Sequence, residues 1–95
     1  KRRPVIIVSS DDYNQNNLDI VGVALTSNLN FKNNYCIEID SNNLETGKLP
    51  QISQIRCDKI YTLSTTIIVK KFDRINRSTY ALIKHKIEEL FNEYE

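Results

Sequence analysis

The chain has 95 residues, 40% of them apolar and 26% charged, which is enough for one core, too little for two, and unlike a disordered composition. Thirteen Lys and Arg against twelve Asp and Glu leave a formal net charge of +1, which gives no strong electrostatic argument for nucleic acid. No apolar run approaches the ~18 residues of a membrane span and the start lacks a signal-peptide apolar segment, so a cytoplasmic location without membrane association is expected. In chain order, residues 4–9 open as a strand: four consecutive β-branched apolar residues, Val5 to Val8, follow a proline that suits the first position of a strand because it cannot donate to a ladder. Residues 11–19 read as a polar turn-rich loop of Asp, Asn and Gln. Residues 20–25 read as a second strand with Gly22 inside it, a mark of a bulge or close backbone approach.

Residues 28–34 form another polar loop. Residues 35–39 alternate, Tyr35, Ile37 and Ile39 on one face and Cys36 and Glu38 on the other, a half-buried strand. Residues 40–50 read as a loop with Gly47 and Pro50, residues 52–63 as one long strand or two short ones, and residues 65–72 as a further β-rich run that breaks at 73–77. The period then changes: Leu82, Ile83, Ile87, Leu90, Phe91 and Tyr94 recur at three and four residues, the stripe of an amphipathic helix capped by Asn76 or Ser78. Glu88, Glu89 and Glu93 oppose its macrodipole, so packing must hold it. Short strands and one terminal helix give a mainly β protein, a small antiparallel sheet curled toward a barrel with a helix against it, in a single domain over 1–95.

Charge is unevenly spread. Lys1, Arg2 and Arg3 begin the chain, Lys70, Lys71, Arg74 and Arg77 cluster late, and Glu88, Glu89, Glu93 and Glu95 close it. This fits either a local basic surface with an acidic tail or simply solvated charge. Cys36 and Cys57 have no metal-binding or redox spacing and are expected as buried free thiols. The chain contains no methionine, not even at its start, so residues preceding Lys1 are expected in the natural protein.

Function first surfaces at Arg3. The proline behind it biases it to an extended backbone, so a guanidinium is held at the mouth of a buried strand. A guanidinium can hold two phosphate oxygens and stabilise charge that builds on a pentacoordinate phosphorus. It is a poor general base because it stays protonated. Taken alone, Arg3 reads as a solvated basic residue in a Lys-Arg-Arg start.

Three spaced motifs carry a resemblance. Arg3-Pro4-Val5-Ile6-Ile7-Val8-Ser9 with Asp12-Tyr13-Asn14, then Val23-Ala24-Leu25-Thr26-Ser27, then Leu49-Pro50, Ser53, Ile55-Arg56-Cys57-Asp58-Lys59-Ile60 and Thr62-Leu63 together resemble the MazF/PemK toxins of toxin–antitoxin modules. The resemblance implies an SH3-like β-barrel of the CcdB/MazF type with a C-terminal helix, assembled as a homodimer. It implies a sequence-specific endoribonuclease that cuts single-stranded RNA by attack of the 2′-hydroxyl on the adjacent phosphate, with no metal and no cofactor. It also implies a cognate antitoxin protein as partner. Arg3 and Thr26 match the family's central arginine and threonine and are expected as catalytic residues. Ser27 and Ser53 match positions beside the site and are expected, with Lys59, to contact substrate. The family usually begins with an earlier strand and a loop carrying an acidic residue and glycines, which this sequence lacks. Lys59 stands where the family often has glutamine, and these departures imply either impaired activity or an altered base preference.

Other residues read plainly. His85 is expected on a helix surface. Asp11, Asp12, Glu38 and Asp40 are turn formers and strand ends without metal-site spacing. Tyr13, Phe31 and Tyr35 suit either stacking on bases or packing at the rim. Two competing functions remain on the same fold: a non-catalytic module that binds RNA or antitoxin, and a gyrase poison of the CcdB kind, against which Arg3-Pro4 with Thr26-Ser27 argues.

Overall fold

The computed structural model describes residues 3–69 and 73–92. The elements run β1 Val5–Ile7, α1 Asp11–Asn16, β2 Asp19–Thr26, β3 Cys36–Ile39, β4 Leu44–Thr46, β5 Ser53–Ser64, β6 Arg74–Ile75 and α2 Arg77–Leu90, with single 3-10 turns at Ser41–Asn43 and Thr65–Ile67. Four strands form an antiparallel sheet in the order β1-β2-β5-β3, and β4 pairs with β6. The result is a curled half-barrel with a C-terminal helix, as expected from the short strands and the final change of period.

β5 is the spine. It pairs with β2 from Asp19↔Ser64 to Thr26↔Gln54 and with β3 from Cys36↔Arg56 to Ile39↔Ser53. The β2 register shifts between Val23, opposite Ile60, and Ala24, opposite Arg56, so residues 57–59 of β5 form an irregularity. That bulge explains the apolar spacing Ile55, Cys57, Ile60: an odd number of extra residues, three, flips the alternation, and all three apolar side chains still reach the core side. The core gathers Val23, Ile37, Ile39, Ile55, Cys57 and Ile83, with Ile6, Val8, Leu25, Leu49, Ile60, Ile75 and Ile87 packed around it. Gly22 in β2 lies where a Cβ would sit 2.9 Å from the Ile6 carbonyl oxygen, a close approach of two backbones.

The helix closes the inner face. Thr79 and Ile83 are buried and Ile87 and Leu90 half-buried, whereas Leu82 and Phe91, both counted in the expected stripe, are exposed. The buried face is therefore turned toward Thr79, a polar residue that periodicity in apolar side chains passes over. Thr79 stays satisfied because its hydroxyl accepts from Asn43 Nδ2 at 3.0 Å. Tyr80 pins the helix to the first strand by donating its hydroxyl to the Val8 carbonyl at 2.7 Å. Asn76, rather than Ser78, is the cap: its side-chain oxygen accepts from Thr79 N–H at 2.9 Å. Its backbone N–H and Nδ2 donate to the carbonyls of Asn43 and Asn42, which ties the helix start to the 3-10 turn after β3.

Four expectations need correction. Residues 11–16 are a short helix, not a loop. Ser10 caps it by accepting from Tyr13 N–H, and Asp11 and Asp12 sit in its first turn where the dipole favours them. Residues 40–50 contain a capped 3-10 turn and β4, because Leu44 and Thr46 find partners in Ile75 and Arg74 within the supposed break at 73–77. Residues 65–69 are not a strand. The Thr65 amide and hydroxyl both bond the Leu18 carbonyl, and Ser64 caps the turn, so the chain leaves the ladder despite its β-branched run. Residues 70–72 lie outside the described residues, as do Lys1, Arg2, Glu93, Tyr94 and Glu95. Cys57 is buried and free as expected, but Cys36 is only half-buried, since it faces away from the helix.

Two substitutions test this packing. Asn76→Ala removes the cap and the Nδ2 tether to Asn42 and is expected to cost about 1–2 kcal/mol in urea unfolding. Gly22→Ala is expected to cost about 1–3 kcal/mol, because the atom it would press is backbone rather than a movable side chain.

Candidate active site

Three elements end at one edge of the sheet. β1 begins there, β2 finishes there, and β5 starts there beside the end of β3. The Leu25 N–H donates to the Pro4 carbonyl at 3.2 Å, which carries the β1–β2 pairing one step past its last strand residue. With Val5 opposite Ala24, continuing the register by two residues sets Arg3 beside Thr26. Arg3 is exposed and makes no ion pair with a described residue. Thr26 is half-buried. Its Oγ1 accepts from Asn28 N–H at 3.1 Å, so the hydroxyl proton is left to donate elsewhere.

The row continues across the sheet. Thr26 is paired with Gln54, and Gln54 with Glu38. Directly paired residues point to the same face, with Cβ atoms ~4.5–5.5 Å apart, so Arg3, Thr26, Gln54 and Glu38 form a line on the side of the sheet away from the helix. Ser27 is exposed just beyond the end of β2. Ser53 is at the same edge but is buried, belongs to the core-facing set with Ile55 and Cys57, and donates its hydroxyl to the Gln51 carbonyl at 3.1 Å. Lys59 stands apart: it is exposed in the β5 bulge, well along the strand from Thr26. An open depression of about 290 Å³ lined by Asp40, Ser41, Asn42, Leu49, Gln51 and Ile52 adjoins the same edge.

Sequence reading singled out neither Gln54 nor the use made of Phe31 and Arg56. β2 and β3 both run antiparallel to β5 and flank it, so the chain between them, residues 27–35, must cross over β5. It does so on the outer face. The Phe31 carbonyl accepts from Gln54 Nε2 at 3.0 Å. The Arg56 guanidinium lies over the Phe31 ring, 4.0 Å from its centroid. Arg56 also holds Asp58 through both carboxylate oxygens, at 3.1 and 2.8 Å, and Asn33 Nδ2 reaches Asp58 at 3.4 Å. A signal was present in the alternation Gln54, Arg56, Asp58, one polar face of a strand whose other face is apolar. What lies over that face was not encoded locally.

The hydrogen bond from Arg56 pulls the Asp58 carboxyl below the usual carboxylate range, and the same bond raises Arg56. Burial pushes the Cys57 thiol up to about 11, which keeps it protonated and unreactive at neutral pH. His85 is on the helix surface beside Glu89, as expected. Among the described residues no three His, Cys, Asp or Glu side chains converge as a metal cluster, and no helix is long and apolar enough to cross a membrane. Asp58 yields a pH prediction. Its carboxyl is lowered by folding, so its contribution is complete at neutral pH and is lost as pH falls below the unfolded value. Asp58→Asn is therefore expected to cost about 1 kcal/mol at pH 7, since the pair is partly solvated. Melting curves of the two proteins should converge as pH is lowered toward 2.

Comparison with known proteins bears on the fold. The fold matches the Mycobacterium tuberculosis toxin MazF-mt6 with a TM-score of 0.82 at 18% identity, over 100% of this chain and 91% of that one. An endoribonuclease from a mycobacterial species matches with a TM-score of 0.75 at 21% identity, over 92% and 77%. A mycobacterial endoribonuclease in complex with its cognate antitoxin matches with a TM-score of 0.78 at 19% identity, over 98% and 84%. No curated protein matches the sequence significantly. The family profile of PemK-like, MazF-like toxins of type II toxin–antitoxin systems spans residues 1–91, and the chain belongs to that family.

Proposed function

We propose that this chain is a sequence-specific endoribonuclease of the mRNA interferase type, acting on single-stranded RNA in the cytoplasm. The observation that supports this most directly is the juxtaposition of Arg3 and Thr26 across the β1–β2 ladder, in a chain of the toxin family whose fold is shared by two mycobacterial endoribonucleases.

The chemistry follows from that pair. The 2′-hydroxyl of one nucleotide attacks the adjacent phosphorus, and the bond from phosphorus to the next nucleotide's 5′-oxygen breaks. The proton lost from the 2′-oxygen is balanced by the one gained on the leaving 5′-oxygen. The products are a 2′,3′-cyclic phosphate and a 5′-hydroxyl end. Arg3 donates two N–H bonds to the non-bridging oxygens, where negative charge rises in the pentacoordinate state. Thr26 donates its free hydroxyl proton to one of the same oxygens. The substrate supplies the nucleophile and Arg3 the counter-charge, so the reaction needs no metal or cofactor.

Ser27, at the exposed exit of β2, contacts the neighbouring phosphate or sugar. Ser53 supports the site from beneath, and Lys59 meets an RNA strand that runs on along β5. A second copy of the chain completes a homodimer. An antitoxin segment that folds on binding covers the same edge.

The test is cleavage of a long unstructured RNA in EDTA by the wild-type protein and by Arg3→Ala. Site-specific cuts leaving 5′-hydroxyl ends are expected from the wild type. Cleavage should fall by about 10²–10³-fold in Arg3→Ala, the usual cost of one charge-stabilising donor. Unfolding free energy should change by no more than about 0.5 kcal/mol, because Arg3 is exposed. A folded wild-type protein that makes no cuts would overturn the reading and leave a binding module.

A further inference from the structure

The outer face holds one group that neither the fold nor the proposed chemistry uses. Gln54 is 7% exposed. Its Nε2 donates to the Phe31 carbonyl, an atom that can only accept, so the orientation of the carboxamide is fixed. The opposite atom, Oε1, is then necessarily an acceptor. It is the one buried side-chain nitrogen or oxygen among the described residues that has no hydrogen-bond partner. Buried polar atoms are nearly always satisfied, and an exception calls for an explanation. If this position served only to fill space, an apolar side chain of the same length would do so without an orphaned oxygen.

We infer that Gln54 reads a nucleobase beside the scissile phosphate, its Oε1 accepting from an amino or imino N–H on the base edge. The inference rests on the RNA-cleaving reading above and extends it to specificity. Three observations carry it. Gln54 is paired directly with Thr26, one strand from the phosphate-binding pair and within reach of the adjoining nucleotide. An acceptor oxygen repels phosphate, so the group it receives must be a donor. Next to it on the same face is a flat surface, the Phe31 ring under the Arg56 guanidinium at 4.0 Å, which suits the face of a base whose edge is held by Gln54. Oε1 is buried in the free chain, so an arriving base must open the cover over it while the Phe31 carbonyl keeps its bond to Nε2.

The ribose 2′-hydroxyl is also a donor, and the experiment separates it from a base. A pool of RNA randomised around a cleavage site is cut by wild type, by Gln54→Met, which keeps length and removes both polar atoms, and by Gln54→Glu, which keeps acceptors and removes the donor to Phe31. Cut sites are then sequenced. The expected result is that Gln54→Met, still folded by its melting curve, loses at least tenfold of the preference at one position flanking the cut. Other positions and the 5′-hydroxyl product should be unchanged, and Gln54→Glu should keep more of the preference than Gln54→Met. A fall in rate with an unchanged sequence profile would overturn the inference, because a ribose contact or a purely structural glutamine gives that result. A parallel arm measures binding of 2′-deoxy oligonucleotides randomised in the same way, which cannot undergo the reaction. If the wild type cuts nothing but binds these with a base preference that Gln54→Met loses, the cleavage reading fails and the Gln54 inference stands. If binding shows no such preference, the Gln54 inference fails whatever the outcome for cleavage.

Discussion

The whole arrangement depends on β5 being hydrogen-bonded on both sides. A strand of twelve residues with β2 on one flank and β3 on the other must satisfy two ladders and present two faces at once. Its inner face needs Ile55, Cys57 and Ile60 against the helix, and strict alternation cannot deliver that spacing. The bulge at 57–59 reconciles the two demands by giving up regular pairing for a few residues and restoring it with the faces exchanged. Without it, Ile60 would turn outward and the upper half of the inner face would lose its contact with Val23.

The flanking of β5 also fixes the path of the chain. Because β2 and β3 run parallel to each other on either side of it, the connection between them cannot be a tight hairpin. It has to travel back along β5, and with α2 on the inner face it lies on the outer one. Phe31, Arg56, Asp58, Asn33 and Gln54 meet there as a consequence of that route. The polar side of β5 is thereby shielded, which is why Gln54 is buried on a face that strand alternation alone would assign to solvent.

The edge where β1 starts and β2 ends has a different character. Its side chains are held by backbone geometry rather than by packing. Pro4 limits the conformations open to Arg3, the Leu25 amide bonds the Pro4 carbonyl, and Thr26 is fixed by its bond from the Asn28 amide. An exposed guanidinium on a constrained backbone can meet a phosphate with little loss of chain entropy, and its removal leaves the core untouched. The stabilising residues and the candidate reacting residues are therefore largely separate sets, joined only through the register of β1 on β2.

Local pattern by itself determined the strands within residues 4–9, 20–25, 35–39 and 52–63, the C-terminal helix with a cap at Asn76 or Ser78, and the mainly β class. These depend on alternation and on cap chemistry, which act within a few residues. The family motifs in the sequence likewise pointed to Arg3 and Thr26, since a proline and a strand-ending Thr-Ser mark their own positions. Only the tertiary structure decided where weak segments find partners. Leu44 and Thr46 become a strand because Ile75 and Arg74 lie opposite, while residues 65–67, stronger in β propensity, do not because Thr65 gives its amide and hydroxyl to the Leu18 carbonyl and Ser64 caps the turn. It alone decided that Thr79 faces inward, that Cys36 does not, and that Lys59 is set apart from Thr26 while Gln54 is beside it. Each of these turns on which distant residue occupies the neighbouring strand or covers the face, a matter of contacts between segments that no stretch of the chain records on its own.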